Sequence, residues 1–349
     1  MAAVIADLRP VVLAFNSGSS SLKFGLFELG GAVPRELVAG SFETTDDHGA
    51  LFDSVDAALG RTDAPPPIAI GHRVVHDGAK QNAHCLIDDA VIRDLVSACV
   101  FAPLHGPAAL ALIKAARTHY PTLPQAACFD TAFHADMPDV ATTLPIPGAF
   151  RAPGVRRYGF HGLSCESIVR QLGSDLPARL VLAHLGNGAS VTAVRDGRSI
   201  DTSMGLTPAG GVVMATRSGD IDPGVLLYLL REKGLDNGAL EQLIDRRSGM
   251  LGVSGLSGDM RVLHEAAAHD PDADLAIRLF CQSVRKQIGA MIAVLEGIDM
   301  LVLTGGIGEH DTLVGDAIRR QLAWSGAKIR VLRSQEDEQI ALHTASLAA

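Results

Sequence analysis

Several things are scarce in this 349-residue chain, and each scarcity narrows its chemistry. Cysteine is rare and unpatterned. The five residues, at positions 85, 99, 128, 165 and 281, form no C-x-x-C pair, which fits a reduced cytoplasmic protein better than a disulfide scaffold. Positive charge is in deficit, with 30 Lys and Arg against 39 Asp and Glu and a net charge of −9. The cationic footprint that general nucleic-acid binding requires is therefore missing, and a polyanionic small ligand has to be met by locally placed cations. No apolar run of roughly 18 residues is free of breakers, so no membrane span is expected. The opening MAAVIADLRPVVLAF has no basic n-region and is interrupted by Asp7 and Arg9, so no signal peptide is expected. Histidine is plentiful at 13 residues, but not at metal-ligand spacing. His72 and His76 lie in a strand-like run that sets them about 13 Å apart. His264 and His269 miss the helical i, i+4 geometry of a zinc site. A histidine metal site is not expected.

What is present points to a substantial α/β protein. Hydrophobic residues make up 47% and charged residues 20%, enough to bury a large core, and the length suggests two domains or one large one. Strands read at 11–15, 21–27, 68–76, 125–130 and 299–304. Helical patterns read at 86–100, 106–118, 222–233, 238–246, 273–296 and 312–324, and Ser164 reads as the cap of a helix from 165 to 172. Between 131 and 159 the chain is Pro-rich and irregular and reads as a domain crossing. Alternating strands and helices make the class α/β.

The segment FNSGSSSLKFGLFE, Phe15 to Glu28, looks like a phosphate loop but lacks the G-x-x-x-x-G-K-[ST] pattern and runs on into a strand. A second hairpin, RLVLAHLGNGASVTAVRDG over 179–197, has the same plan of apolar strand, Asn/Gly turn and returning strand. Their turn glycines, Gly18 and Gly188, are 170 residues apart, about half the chain. That spacing points to an internal duplication; two unrelated Asn/Gly hairpins are the plainer alternative. Such turns expose backbone N–H groups to phosphate oxygens, and LVLTGGIGE adds a strand end, a glycine turn and a helix start, which also favours anions.

Individual side chains stand out beside these turns. Arg217 sits in MATRSGDIDPG, a small polar loop of the kind that often carries function. Arg73 in GHRVVH and Arg261 in SGDMR have a surface ion pair as their plain reading. His105 in APLHGP, His161 in RYGFHGLS and His184 at a strand end have a structural role as theirs. Asp130 ends an apolar strand, where a carboxylate of an α/β sheet faces the ligand crevice, unless it merely caps the turn.

Taken in order, NSGSSSLKF, GHRVVHDG, APLHGP, FDTAFHADMP, RYGFHGLS, HLGNGASV, DTSMGLTP, TRSGDIDPG, SGLSGDMR and TGGIGE resemble the motifs of the acetate kinases, the acetokinase family of the sugar kinase/heat-shock/actin superfamily. The resemblance implies two duplicated βββαβαβα domains facing a cleft: residues 1–150 with about 326–349, and a nucleotide-binding domain over 151–325. It implies Mg²⁺-dependent phosphoryl transfer between ATP and acetate, giving ADP and acetyl phosphate, with Mn²⁺ able to substitute, in a cytoplasmic homodimer. It places Asn16 and Glu336 at the metal and Lys23 near the nucleotide phosphates. Arg73 and Arg217 hold the carboxylate and the phosphoryl group, His161 stabilises the transition state, Asp130 is the catalytic acid residue, and His105 lines the site. Nucleotide binding falls to His184, Leu185, Gly186, Asn187 and Gly188, to Asp259, Met260 and Arg261, and to Gly306, Ile307, Gly308, Glu309 and His310. Val75, Leu104, Phe160 and Pro208 form the pocket for the acetate methyl.

The chemistry is consistent with that assignment. A carboxylic acid with a pKa near 4–5 is already an anion at pH 7 and needs cations rather than a base to approach ATP. Asp130 is accordingly expected to organise magnesium, water or an arginine rather than to remove a proton. The sequence departs from the family at Cys165, where a histidine is common, at Gly106 and His310, where asparagine is common, and in SQED over 334–337, where TNEE is usual. It is also short between the first hairpin and GHRVVH. Two other readings stay open. One is a propionate or broader short-chain acyl kinase, since one methylene is worth only about 1–3 kcal/mol. The other is a non-catalytic, actin- or chaperone-like nucleotide switch.

Overall fold

The computed structural model describes residues 9–18, 21–31, 33–43, 47–102, 106–151 and 154–349. Down the chain these form β1 (Val11–Ser17), β2 (Ser21–Glu28), β3 (Arg35–Glu43), α1 (His48–Leu59), β4 (Ala69–Val74), β5 (Cys85–Leu86), α2 (Asp89–Ala98), α3 (Gly106–His119), β6 (Gln125–Phe129), α4 (Asp139–Thr142), α5 (Gly148–Arg151) and α6 (Gly162–Leu172). The second half follows with β7 (Arg179–Leu185), β8 (Ala189–Arg195), β9 (Arg198–Thr202), α7 (Pro223–Glu232), α8 (Asn237–Arg246), α9 (Gly249–Ser254), α10 (Met260–Ala266), α11 (Pro271–Leu295), β10 (Met300–Thr304), α12 (Gly305–His310), α13 (Thr312–Gln321), β11 (Lys328–Val331) and α14 (Glu336–Ala348).

Two sheets organise these elements. The first has the order β3-β2-β1-β4-β6-β5 and the second β11-β10-β7-β8-β9. Reversed, the second reads β9-β8-β7-β10-β11, which matches β3-β2-β1-β4-β6 strand for strand. In each, an antiparallel hairpin leads and the following strands add in parallel. The duplication expected from the two hairpins is thus a duplication of topology.

The chain divides into two compact units. Met1–Ala135, Gly162–Ser167 and Gln335–Ala349 form the first, and Asp136–His161 with Ile168–Ser334 form the second. These bounds differ from the expected ones at 150 and 326. The differing tail is explained by β11, which pairs in parallel with β10 and so belongs to the second sheet. Only α14 returns to the first unit, where it packs on β1, β4 and β6.

The core of the first unit follows from its strand pattern. β1 has neighbours on both sides, and Val11, Val12, Leu13, Ala14 and Phe15 are all buried, as a continuous apolar run in a central strand requires. Phe15 meets Phe52 of α1 with ring centroids 5.5 Å apart on one face. On the other face Val12 and Ala14 cluster with Leu163, Ile340 and Ala341. In the second unit, α11 lies on β8 and β7 and buries Phe280, Val284, Ile288 and Leu295.

One expected cap is corrected. The helix assigned to 165–172 begins at Gly162, and its cap position is His161, in the left-handed region at φ 60° and ψ 27°. Ser164 lies inside that helix and is fully buried. The Gly162 amide donates to the Asp130 carbonyl at 2.7 Å, which starts the helix a turn early. Among the described residues no two cysteines form a disulfide. Among the described residues no helix is long and apolar enough to cross a membrane.

Candidate active site

In the first unit the site is built from neighbouring strand ends. β1, β4 and β6 run in parallel, with Phe15 beside His72 and Arg73 beside Cys128. Asn16, Arg73 and Asp130 therefore emerge side by side where the carboxyl ends of the strands open, the usual ligand edge of such a sheet. Arg73 donates from Nε and Nη2 to Asp130, the shortest contact being 2.6 Å, and from Nη1 to Asn16 Oδ1 at 3.2 Å. Asn16 Nδ2 donates in turn to Asp337 at 2.7 Å and to Glu336 at 3.2 Å. Both acids lie in the first turn of α14. Lys23 sits opposite Asn16 in the β1–β2 pairing and is exposed; its charge is felt at Asp337.

The electrostatics of this cluster are unbalanced. Asp130 is 1% exposed and Arg73 16%. Burial pushes the Asp130 carboxyl above the ordinary range, Glu336 adds to that, and Arg73 pulls against it. Burial and the nearby Glu336 also raise Asp337, which the Asn16 hydrogen bond only partly offsets. Burial works against the Arg73 charge, yet Asp130, Glu336 and Asp337 together hold it firmly protonated. Three carboxylates thus share one buried guanidinium. That is an excess of hard oxygen donors, the donor set a Mg²⁺ or Mn²⁺ ion prefers.

The second unit carries a different group. His161 Nδ1 lies 2.9 Å from Ser190 Oγ, and its ring stacks on His184 with centroids 4.2 Å apart and planes 18° apart. A Cβ on Gly188 would come 3.2 Å from His161 Nε2 and 3.3 Å from Arg217 Nη1. The glycine is therefore what lets the turn sit against both groups. Arg217 Nη1 donates to the Pro208 carbonyl at 3.3 Å.

The turn of the second hairpin is closed by Gly186 N–H donating to the Gly188 carbonyl at 3.0 Å. Leu185 is buried in β7, and Asn187 is exposed at the tip. Beyond β10, Gly305 has φ 78°, and a side chain there would strike the Leu185 backbone. Gly306, Ile307, Gly308 and His310 belong to the short helix that follows, and His310 is exposed. Glu309 turns inward, where one carboxylate oxygen accepts from the amides of Gly305 and Ser334, both at 2.9 Å. Its observed part is to brace this turn. Asp259 caps α10, accepts from the Arg261 side chain at 2.6 Å and leaves Met260 buried.

The residues expected around the acetate methyl are divided between the units. Val75 lies in the first unit, half-buried beside a small apolar cavity that Val74, Leu95, Ala98 and Ile113 also line. Phe160, fully buried, and Pro208 lie in the second. Leu104 and His105 fall outside the described residues.

A third cluster was not anticipated. His84, Glu166 and His343 meet in the first unit with their N and O atoms all within 4.8 Å. Sequence spacing hides the group, because its members are 82 and 177 positions apart. The set resembles a His₂Glu metal site. However, the Phe129 amide donates to His84 Nδ1 at 3.0 Å. The His84 proton therefore sits on Nε2, the atom that would have to bind a metal. The cluster is arranged as a hydrogen-bonded clasp instead, with His343 Nε2 2.5 Å from Glu166.

Comparison with known proteins identifies the family. The sequence profile of the Acetokinase family matches residues 63–345. The chain belongs to the acetokinase family. Among family members, the acetate kinase of Rhodopseudomonas palustris is 41% identical over 354 residues, covering 92% of this chain and 88% of that protein. The acetate kinase of Clavibacter michiganensis is 43% identical, covering 90% and 86%. The crystal structure of Porphyromonas gingivalis acetate kinase superposes with a TM-score of 0.88 at 30% identity, over 97% of this chain and all of that one. A propionate kinase from Francisella tularensis superposes with a TM-score of 0.87 at 32% identity, over the same shares. The two-sheet α/β fold is that of these acetokinase structures.

Besides the His84, Glu166 and His343 group, two residues of the first two clusters escaped the sequence reading. Asp337 adjoins Glu336 in SQED, and the crowding of acids there was its signal. Ser190 lies in HLGNGAS, directly across the hairpin from His184, and strand pairing was the signal that would have found it.

Proposed function

We propose that this chain catalyses reversible, Mg²⁺-dependent phosphoryl transfer between ATP and acetate. The observation that carries this reading is the bond from Arg73 to Asp130, in line with Asn16, Glu336 and Asp337. A guanidinium is held there ready for a carboxylate, next to an acidic group suited to a divalent ion.

In the forward direction an acetate oxygen attacks the γ-phosphorus of ATP, the bond to the bridging β-γ oxygen breaks, and ADP leaves with that electron pair. Acetate arrives ionised, so no proton has to be removed. Arg73 binds and orients its carboxylate, and Asp130 holds Arg73 in place. Arg217 and His161 donate to the phosphoryl oxygens as their charge redistributes, which is how phosphoryl transfer is accelerated when positioning and electrostatics dominate. Asn16, Glu336 and Asp337 would hold the divalent ion, which would supply neutralisation of phosphate charge. The hairpin turn His184–Gly188, with Leu185, Gly186 and Asn187, the glycine turn 306–310 and the segment 259–261 supply nucleotide contacts, and Lys23 meets the phosphates. Val75, Phe160 and Pro208 are assigned to the acyl substrate, as are Leu104 and His105 by their sequence motif alone.

A cytosolic homodimer is part of the same reading. The dimer is supported by α7, whose VLLYLL run buries no residue in the single chain and leaves Val225, Leu227 and Tyr228 between 39% and 54% exposed. The name of the Francisella tularensis relative keeps propionate as the competing substrate. A hydroxamate assay for acyl phosphate tests the proposal, run with acetate, propionate and butyrate, with and without Mg²⁺. Acetyl hydroxamate should form fastest and only with the ion. A higher kcat/KM for propionate would make this a propionate kinase. Nucleotide binding with no acyl phosphate from any acid would make it a nucleotide switch.

A further inference from the structure

We propose that Ser190 is a positioning residue for His161: its hydroxyl donates to Nδ1 and so keeps the proton of the neutral imidazole on Nε2, the nitrogen beside Arg217. The inference rests on the phosphoryl-transfer reading and adds to it the protonation state in which His161 works.

The hairpin itself makes the arrangement. Ser190 in β8 pairs with His184 in β7, so their side chains share one face. His161 is gripped by both. Its ring lies flat on His184, and its Nδ1 lies 2.9 Å from the Ser190 hydroxyl. Ser190 is 1% exposed and His161 8%, so the contact is sheltered from exchange with water. The backbone of His161 is in the left-handed region, which non-glycine residues seldom occupy. Such a conformation persists where the surroundings fix it. The opposite end of the ring is committed as well, since Nε2 and Arg217 Nη1 flank the same turn glycine, Gly188.

Chemistry then selects the tautomer. A neutral imidazole has one donor and one acceptor nitrogen, and the partner of one decides the role of the other. A transferring phosphoryl group is anionic. A bare Nε2 lone pair would repel it, whereas Nε2–H attracts it. A neutral ring can act as that donor only if its single proton is on Nε2. A serine hydroxyl can supply the hydrogen bond that Nδ1 then needs.

The test reads the tautomer directly. In protein labelled with ¹⁵N-histidine, long-range ¹H–¹⁵N spectra distinguish the two forms, and His161→Asn identifies the His161 signals. The wild type should show Nε2–H at position 161, and Ser190→Ala should show a mixture. In the same variant kcat for acetyl phosphate formation should fall about 10-fold or more, with KM for acetate and ATP within about twofold. Ser190→Thr, which keeps the hydroxyl, should restore both tautomer and rate. An Nδ1–H form in the wild type, or a Ser190→Ala tautomer identical to the wild type whatever its rate, overturns the proposal. The tautomer is measured without turnover, so a chain inactive toward acetate would refute the functional reading while these spectra still judged Ser190.

Discussion

The two units place opposite kinds of group on the same scaffold. β1 and β7 occupy equivalent places in sheets of matching order, each followed by a hairpin partner and a parallel neighbour. In the first unit the strand ends carry ionic and amide side chains: Asn16, then Arg73, then Asp130. In the second, the corresponding ends carry an imidazole and a glycine, His184 and Gly305, with backbone brought close where Gly305 meets Leu185. A duplicated framework thus yields one half rich in charge, suited to a metal and a carboxylate. The other half is rich in donors and exposed backbone, suited to phosphate. The lesson is that topology sets where a ligand is met, and the residues at the strand ends set which part of it.

The comparison can be broken most severely at Asp130. Asp130→Asn removes the charge that holds Arg73, and kcat should fall about 10²–10³-fold. If steady-state kinetics showed only a displaced pH optimum, Asp130 would be an acid/base catalyst instead. In the second unit, Gly188→Ala pushes a methyl toward both His161 Nε2 and Arg217 Nη1. It should lower kcat about 10-fold while thermal unfolding stays within about 1 kcal/mol of the wild type. An unchanged kcat would remove those two groups from phosphoryl transfer.

A smaller effect is expected at Gly71, where a Cβ would run into Thr344 and Ile340 of α14. Gly71→Ala should destabilise by about 1–3 kcal/mol in urea unfolding. It should also raise the Mg²⁺ needed for half-maximal rate, because α14 bears Glu336 and Asp337. The mildest effect concerns Glu166. Burial pushes its carboxyl up, but hydrogen bonds from His343 and His84 outweigh that and bring it down to about 2. A depressed carboxylate contributes stability that is complete above its ordinary value of 4.5 and is lost as pH falls toward 2. Urea unfolding at pH 7, 5 and 3 should show Glu166→Gln less stable at the first two and converging on the wild type at the third. A constant difference across the series would show that no such clasp forms there.

How much of this was legible in the sequence depends on how local the cause was. The hairpins, their duplication and Asp130 at a strand end were readable, because strand alternation and turn glycines are written in neighbouring residues. The start of α6 was not, because it is fixed by a hydrogen bond from Gly162 to Asp130, 32 positions away. Arg217 stood out by its small polar loop, whereas Arg73 read as a plain surface arginine; its bond to Asp130 spans 57 positions and is what sets it apart. The clasp of His84, Glu166 and His343 was invisible for the same reason. The bracing of backbone amides by Glu309 was equally hidden, because it depends on Ser334, 25 residues later.

The division of labour between the units is tested most directly by the Mg²⁺ dependence of acetyl phosphate formation in two variants, Glu336→Gln/Asp337→Asn and His161→Asn. The acidic-pair variant should need about 10-fold or more Mg²⁺ to reach half its maximal rate. The His161 variant should turn over more slowly at an unchanged requirement. A requirement that stays fixed when the two acids are neutralised, or that moves with His161, would contradict that division.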